Sequence, residues 1–180
     1  MQHYPKLLLS CLLISLISAC GFQLRGTVDL PTGIEPFYIG SNNINDVTYI
    51  ELNNIFNANS LALTEDITAA NYQLIITKQK SDRRSTAVGI DGRTAEYQLL
   101  ETATYELKDK QGRIASGPIE ITERSILQNN PNQVISTESE EKLLRTEMKR
   151  NLARKIARQI SKFDFQAYEA KQSAIDSNAP

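Results

Sequence analysis

Residues 91–112 decide the fold, and they read DGRTAEYQLLETATYELKDKQG. The pair Asp91-Gly92 is favoured in tight hairpin turns, and apolar and polar side chains alternate after it with the two-residue period of a half-buried strand. The apolar face carries Ala95, Tyr97, Leu99, Ala103, Tyr105 and Leu107. Glu101 interrupts that face, which indicates a bulge or the rim of a sheet. This stretch therefore predicts a long strand with one buried face, leaving through a turn at residues 109–112.

The segments on either side extend this strand into a sheet. Residues 72–77 alternate apolar and polar side chains except at Ile75, and a third long strand is predicted from about residue 114 to residue 127. The dipeptide Gly117-Pro118 within it indicates an edge strand or a bulge, because proline cannot donate to a ladder. Upstream, residues 37–39 form a short apolar run typical of one more strand. Consecutive hairpins of this kind predict an antiparallel meander.

Two helices are predicted to cover this sheet. The first begins at Asn43 or Asn45 and ends near Asn57, and its β-branched and asparagine residues make it dependent on packing. The second begins at Ser136 or Thr137. Its apolar stripe carries Leu144, Met148, Leu152, Ile156 and Ile160, broadened by Leu143 and Phe163. Its other side is basic, which the helix dipole favours toward a C-terminus without any ligand.

The order of elements predicts the α+β class. The architecture that fits is a two-layer sandwich, a mainly antiparallel sheet of about four strands with two helices packed on one face. A single domain over residues 20–165 is expected to contain it. Residues 166–180 are mostly small and polar, and we expect them to form a flexible C-terminal tail.

Residues 1–19 have the features of a signal peptide. Lys6 precedes an apolar run over residues 7–17. Such a run of about 11 residues spans roughly 16 Å as a helix, too short for a hydrocarbon core of about 30 Å but suited to a secretory signal. We therefore expect residues 1–19 to be removed.

The residue after the predicted cleavage site is a cysteine. Ser18 and Ala19 are small and precede Cys20, a pattern that resembles the lipobox of bacterial lipoproteins. Acyl chains on Cys20 would anchor the domain stably to a membrane. Gly21 follows where an inner-membrane retention signal usually has aspartate, which favours the periplasmic side of the outer membrane. The alternative is an ordinary secretory signal that happens to be followed by a cysteine.

The composition of the mature chain excludes most catalytic sites. The only histidine, His3, leaves with the signal peptide together with Cys11, and Cys20 would be acylated. Ser-His-Asp and Cys-His catalysis, histidine-ligated metals and disulfides are thereby excluded, so we expect no enzyme and no metal site. A carboxylate pair remains open because acidic residues are plentiful. The slight acidic excess argues against nucleic acid as a partner.

Three segments together resemble one known family. Residues 20–26, CGFQLRG, resemble the mature N-terminus of the lipopolysaccharide-assembly lipoprotein family, LptE, also called RlpB. Residues 91–98, DGRTAEYQ, resemble its central hairpin, and Asn130-Pro131 leading into a helix with Glu147-Met148 resembles its C-terminal part. Their order and spacing cover most of the mature chain.

The resemblance implies a role without catalysis or cofactor. Members of the family plug the lumen of a large outer-membrane β-barrel, LptD, assist its assembly and deliver lipopolysaccharide to the outer leaflet with it. Lipopolysaccharide is anionic, so Arg83, Arg84 and Arg93 beside the central hairpin are candidate contacts. The alternative is that these arginines are solvated surface charges, and Ile90 stands at the tip where a cation could serve.

Two other functions stay open on the sequence. The first is another outer-membrane lipoprotein of similar fold that binds an envelope lipid or assists a lipid-transport system. The second is a lipid-anchored hydrolase that uses carboxylates. Co-purification with a very large barrel separates LptE from the first, and a deep acidic pocket would favour the second.

Overall fold

The computed structural model describes residues 30–130 and 134–177, which contain four strands and three helices. The strands are β1 (Phe37–Ser41), β2 (Tyr72–Val88), β3 (Thr94–Asp109) and β4 (Ile114–Gln128). The helices are α1 (Val47–Ala58), α2 (Val134–Ser161) and α3 (Phe165–Ser177). The predicted signal peptide and Cys20 lie outside the described residues.

The four strands form one mixed, mainly antiparallel sheet in the order β1-β2-β3-β4. Helix α1 connects β1 to β2, which pair in parallel, as a crossover connection requires. Tight turns connect β2, β3 and β4, which pair antiparallel. Strand β4 is an edge of this sheet, and its register with β3 shifts opposite Gly117-Pro118, as the sequence predicted. The predicted α+β sandwich is confirmed.

Helix α1 begins later than predicted, with its N-cap one residue after Asn45 and three residues after Asn43. Asp46 is its N-cap, and its Oδ1 accepts a hydrogen bond from the Thr48 backbone N–H at 2.8 Å. Asn43 and Asn45 lie in the preceding turn, where Asn43 Oδ1 accepts from Asn45 N–H at 3.1 Å. Asparagine side chains suit turns, but the Asp46 carboxylate also forms an ion pair with Lys149 of α2. This tertiary contact favours Asp46 as the N-cap.

The main core lies where α1 and α2 cover the first part of the sheet. Its largest fully buried side chains come from the sheet and from both covering helices, and they include Phe37, Phe56, Leu74, Tyr105, Leu107, Leu152 and Ile156. A second, smaller cluster of Leu99, Leu127 and Met148 lies farther along β3, with Tyr97 and Leu144 packed against it. Leu152 therefore packs in the main core, and Met148, one turn earlier, packs on Leu99.

Residues 165–177 form a third helix, α3, where the sequence predicted a flexible tail over residues 166–180. Aromatic and ionic contacts hold α3 although its composition is small and polar. Phe165 is buried and meets Tyr72 edge-on at 4.7 Å between ring centroids. The Tyr168 hydroxyl donates to Asp109 Oδ2 at 2.9 Å, and the Tyr72 hydroxyl donates to Glu169 Oε1 at 2.8 Å.

Candidate functional site

The far end of the β2–β3 hairpin carries the predicted arginines. Residues 89–93 form its turn, closed by a hydrogen bond from Gly89 N–H to the Arg93 carbonyl at 2.7 Å. Gly92 has a φ of 77°, a backbone conformation that favours glycine, and Asp91 Oδ1 accepts from Arg93 N–H at 3.1 Å. Asp91-Gly92 is thus in the turn, which is longer than the two-residue type.

The structure does not gather the three arginines in one pocket. Arg83 points to the helix side, where its Nη1 lies 3.0 Å from Glu141 Oε2 and its Cζ lies 4.6 Å from the centre of the Tyr97 ring. Arg84 follows it in the strand and therefore points to the opposite face of the sheet. Arg93 lies in the turn with its side chain 69% exposed, 3.9 Å from Asp91 Oδ2. Arg84 and Arg93 are therefore the more accessible cations.

The tip also exposes apolar side chains. Val88 is 65% exposed at the end of β2, and Ile90 is fully exposed in the turn. The first turn of α2 follows the end of β4, and it exposes Val134 and Ile135 as well. Isolated exposed apolar residues are ordinary, but here they accompany Arg84 and Arg93 at one end of the molecule. The end can meet a ligand that has both anionic and apolar parts.

A buried ionic network lies directly below this end. Glu101, nearly inaccessible in the middle of β3, accepts hydrogen bonds from Arg145 Nη1 of α2 and from the Ser81 hydroxyl, each at 2.6 Å. Arg145 also lies 2.7 Å from Glu141, which in turn binds Arg83. The break in the apolar face at Glu101 is therefore an ion pair, since its register with β2 and β4 is regular.

We call the network of Glu101, Arg145, Glu141 and Arg83 the clamp, because its ion pairs hold β2 and β3 to α2. Burial disfavours the charged form of Arg145, but its hydrogen bonds to Glu101 and Glu141 outweigh that effect and raise the pKa of the guanidinium. Burial likewise opposes ionisation of Glu141, but hydrogen bonds from Arg145 and Arg83 lower its pKa. Both groups are thus held charged at neutral pH. The pattern in the sequence could reveal Glu101 as an anomaly, but its partner lies 44 residues away.

A cleft of about 410 Å³ lies between α3 and the β3–β4 turn and is lined mostly by polar side chains. It holds Asp109, which Arg113 Nε binds at 2.6 Å. Within residues 30–130 and 134–177, no cluster of three histidine, cysteine or acidic side chains could hold a metal ion. No helix in the same ranges is long and apolar enough to cross a membrane.

A family model described as LptE, lipopolysaccharide-assembly, matches residues 34–160. Similar proteins include the LPS-assembly lipoprotein LptE of Pectobacterium atrosepticum, 23% identical over 161 residues that cover 89% of this chain and 86% of that one. The LPS-assembly lipoprotein LptE of Photorhabdus laumondii is 24% identical over 160 residues, covering 89% and 87%.

Two solved structures share the fold. Lipoprotein B from Nitrosomonas europaea superposes with a TM-score of 0.66 at 23% identity, over 79% of this chain and 92% of that one. A minor lipoprotein from Acinetobacter baumannii gives a TM-score of 0.58 at 24% identity, over 69% and 89%. The arrangement of sheet and helices described above is therefore an architecture that bacterial lipoproteins also adopt.

Proposed function

This chain belongs to the lipopolysaccharide-assembly LptE family, and on that premise we propose that it plugs the LptD β-barrel and helps deliver lipopolysaccharide to the outer leaflet. The chain is a non-enzymatic LPS-assembly lipoprotein. The observation that carries the proposal is the family match over residues 34–160, which spans the sheet from β1 through β4 and nearly all of α2.

The barrel-plug role is supported by the surface of the domain. Barrel lumens are polar and wet, so a plug needs a compact body with a mixed-charge exterior. The exposed side of α2 has this character, with Arg154 Nη2 2.7 Å from Glu147 Oε1 and Lys155 Nζ 2.6 Å from Glu123 Oε1. Co-purification of the mature chain from detergent extract should yield a stoichiometric complex with LptD, and its absence would refute the plug role.

A lipid anchor on Cys20 would hold the domain at the periplasmic side of the outer membrane. The lipobox-like residues before Cys20 support acylation, and three chains would attach the protein stably. The mature protein should then have an intact mass above that of its peptide by the acyl chains and glycerol. Cys20→Ala should abolish that increment and mislocalise the protein. An unmodified cysteine in the wild type would contradict this part of the proposal.

Lipopolysaccharide contact is proposed at the hairpin end, through Arg84 and Arg93 first and Arg83 second. Arg84 and Arg93 are accessible to phosphate and carboxylate groups, while Val88 and Ile90 offer apolar contact beside them. Arg83 already binds Glu141, so it has less to give a ligand.

Charge reversal tests this contact. Arg83, Arg84 and Arg93 changed together to Glu should weaken lipopolysaccharide binding at least about tenfold at low salt, because charge-assisted contacts are each worth about 1.5–3 kcal/mol and less when solvated. The double change Arg84→Glu with Arg93→Glu should retain most of that loss. Arg150→Glu and Arg158→Glu on α2 are the matched control. Unchanged lipopolysaccharide binding would mean that the three arginines are surface charges without a role in binding this ligand.

A further inference from the structure

Strand β2 is much longer than the strand beside it. Strand β1 pairs with β2 only from Tyr72 to Ile76, whereas β2 continues to Val88. Beyond Ile76, the described strands offer β2 a partner on the β3 side alone. The chain leaves β1 at Ser41 and turns into α1, so the line that β1 begins is not continued. A strand with an open edge is a template for pairing with another segment.

The hydrogen bonds between β3 and β4 show which amides of β2 face this open edge. Asn129 N–H donates to the Ala95 carbonyl at 2.9 Å, and the register between these strands is regular from residue 96 to residue 105. The odd-numbered residues of β3 therefore bond to β4, and the even-numbered ones bond to β2. Register between β2 and β3 is regular from residue 78 to residue 85, so the even-numbered residues of β2 bond to β3 there. The amide groups of Gln79 and Ser81 face the open edge.

Space for a further strand exists beside these amides. A cleft of about 460 Å³ lies between residues 77–81 of β2 and the turn at Asn42 and Asn43. Its inner wall is fixed, because Asp46 accepts hydrogen bonds from Gln79 Nε2 and Lys149 Nζ, each at 2.6 Å. The backbone edge is left accessible while the side chains toward the helices are bound.

The charges along the edge restrict the occupant. Lys78, Lys80 and Arg84 project to the helix-free face, and Asp82 is the one acidic side chain among the residues from 78 to 84. Lys80 Nζ lies 2.5 Å from Asp82 Oδ2, while Lys78 has no ion pair in the described part of the chain. Two copies paired through this edge would place like charges opposite each other, which is unfavourable. An acidic segment is complementary to it.

The opposite edge of the sheet is blunted in comparison. Strand β4 contains Pro118, which has no amide proton to donate, and a register shift at the same place. It also carries Glu120 and Glu123. Residues 77–81 of β2 contain neither proline nor glycine and border an open cleft.

We propose that the β2 edge at Gln79 and Ser81, with Lys78 and Lys80 beside it, binds an extended, acidic segment of the barrel partner by strand addition, in the line that β1 begins. Main-chain hydrogen bonds would give affinity, and the lysines would select acidic side chains on one face of the added strand. This inference rests on the proposed association with the barrel, and it names the mode and the surface of that association.

The test compares proline substitutions on the two edges in the full-length lipidated protein. Ser81→Pro removes an outward amide proton that the β2–β3 ladder does not use, and Ser81→Ala removes the same hydroxyl but keeps the amide. Ile126→Pro is the control on the β4 edge, since Ile126 pairs with Gln98, an even-numbered residue of β3, so its amide points outward. Lys80→Gln removes the charge alone. We expect Ser81→Pro to weaken the barrel complex at least about tenfold, Lys80→Gln severalfold, and Ser81→Ala and Ile126→Pro little.

Photo-crosslinking locates the partner segment even if the proline variant unfolds. A benzophenone amino acid in place of Lys78 or Lys80 should crosslink an extended acidic segment of the barrel, while one in place of Ile126 on β4 should not. Crosslinks at Ile126 alone, crosslinks at Lys78 and Lys80 to a segment without acidic residues, or no crosslink at either lysine would overturn the strand-addition inference while leaving the barrel association intact. Absence of the barrel from the wild-type complex would instead overturn the proposed function.

Discussion

The two halves of the β2–β3 hairpin are held to the helices by different forces. Near β1, the sheet side is apolar, with Leu74, Ile76, Tyr105 and Leu107 buried against α1 and α2. Toward the turn, the side chains on the same face are Gln79, Ser81 and Arg83 on β2 and Glu101 on β3, and the apolar cluster shrinks to Leu99, Leu127 and Met148. The first half is a core in the ordinary sense, and the second is clamped by ions.

The two kinds of contact have different effects, because apolar burial stabilises the fold and ion pairs fix the position of the hairpin end. Apolar burial stabilises at about 25 cal/mol per Å² and is not directional. A buried ion pair contributes little net energy because desolvation offsets the attraction, but it is costly to mismatch. The main core therefore holds the domain together, while the network of Glu101, Arg145, Glu141 and Arg83 fixes where the far end of the hairpin lies relative to α2.

The largest effect is expected from the main core. Phe56 of α1 is fully buried, with its ring centroid 5.3 Å from that of Phe37. Phe56→Ala should lower the free energy of unfolding by about 3–5 kcal/mol, because it removes apolar contacts and leaves a cavity. Denaturant unfolding measures the change. Ile50→Ala, on the exposed side of the same helix, is the control and should stay within about 0.5 kcal/mol. Equal losses of unfolding free energy in the two variants would mean that α1 turns a different face toward the sheet.

A smaller loss is expected from breaking the clamp. Arg145→Leu leaves Glu101 buried without its cation, which should cost about 2–3 kcal/mol, below the range for fully buried pairs because Arg145 is 21% exposed. Hydrogen exchange should rise first in residues 78–88 and 94–101. Arg150→Leu, on the exposed side of α2, should change neither measurement. Exchange that rises evenly through the sheet would contradict the local role of the clamp.

The first half of the hairpin was predictable from sequence and the second was not, for a physical reason. Alternation over 94–109 is a local signal, and it correctly placed Leu99, Ala103, Tyr105 and Leu107 inside. It located the anomaly at Glu101 but gave no partner. Ion pairs join residues distant in the chain, and no local period encodes them. The same limit applies to Arg83, whose orientation toward Glu141 depends on the bulge between Ile76 and Lys78.

Segments held mainly by tertiary contacts were also misjudged. Helix α3 has weak local signals, and its position depends on Phe165 against Tyr72 and on Tyr168 with Asp109. Leu143 was predicted in the apolar stripe of α2 but is 68% exposed, because the sheet narrows there and the stripe turns inward at Leu144. Helix periodicity gives a stripe, and the width of the partner layer decides how much of the stripe is buried.

A pH-dependent effect is expected at Asp46, where the two halves meet. Burial raises the pKa of this carboxyl, but hydrogen bonds from Lys149 and from the Thr48 backbone outweigh burial and hold the pKa below its usual 3.8. Ionised Asp46 therefore stabilises the fold fully above pH 3.8, and the stabilisation is lost as the pH falls through the lower folded value. Asp46→Asn keeps the cap and removes the charge, so it should cost about 1–2 kcal/mol at pH 7.

The pH profile of that variant provides the control. The difference between wild type and Asp46→Asn in unfolding free energy should shrink as the pH falls below 3.8 and through the lower folded pKa, where wild-type Asp46 becomes protonated. Asp164→Asn is the matched change, because Asp164 Oδ1 caps α3 through Ala167 N–H at 2.9 Å and binds no cation in the described ranges. It should alter neutral-pH stability little. A difference at Asp46 that is constant with pH would assign the effect to capping alone.

The smallest effect on stability is expected when both ions of the clamp are removed together. Glu101→Leu with Arg145→Leu leaves no unpaired buried charge at this pair, and leucine fills part of the vacated space beside Met148 and Leu99. Unfolding free energy should then lie within about 1 kcal/mol of the wild type, since replacing a buried pair by apolar residues is often neutral or stabilising. Arg83 and Glu141 remain to bind each other.

If the role of the clamp is to position the hairpin end, lipopolysaccharide binding at Arg84 and Arg93 should fall severalfold in this stable protein, because apolar contacts fix the hairpin end less strictly. Unchanged binding would mean that the tip needs no fixed position. A stability loss as large as that of Arg145→Leu alone would mean that the pair itself stabilises the domain, and the distinction between the two halves of the hairpin would fail.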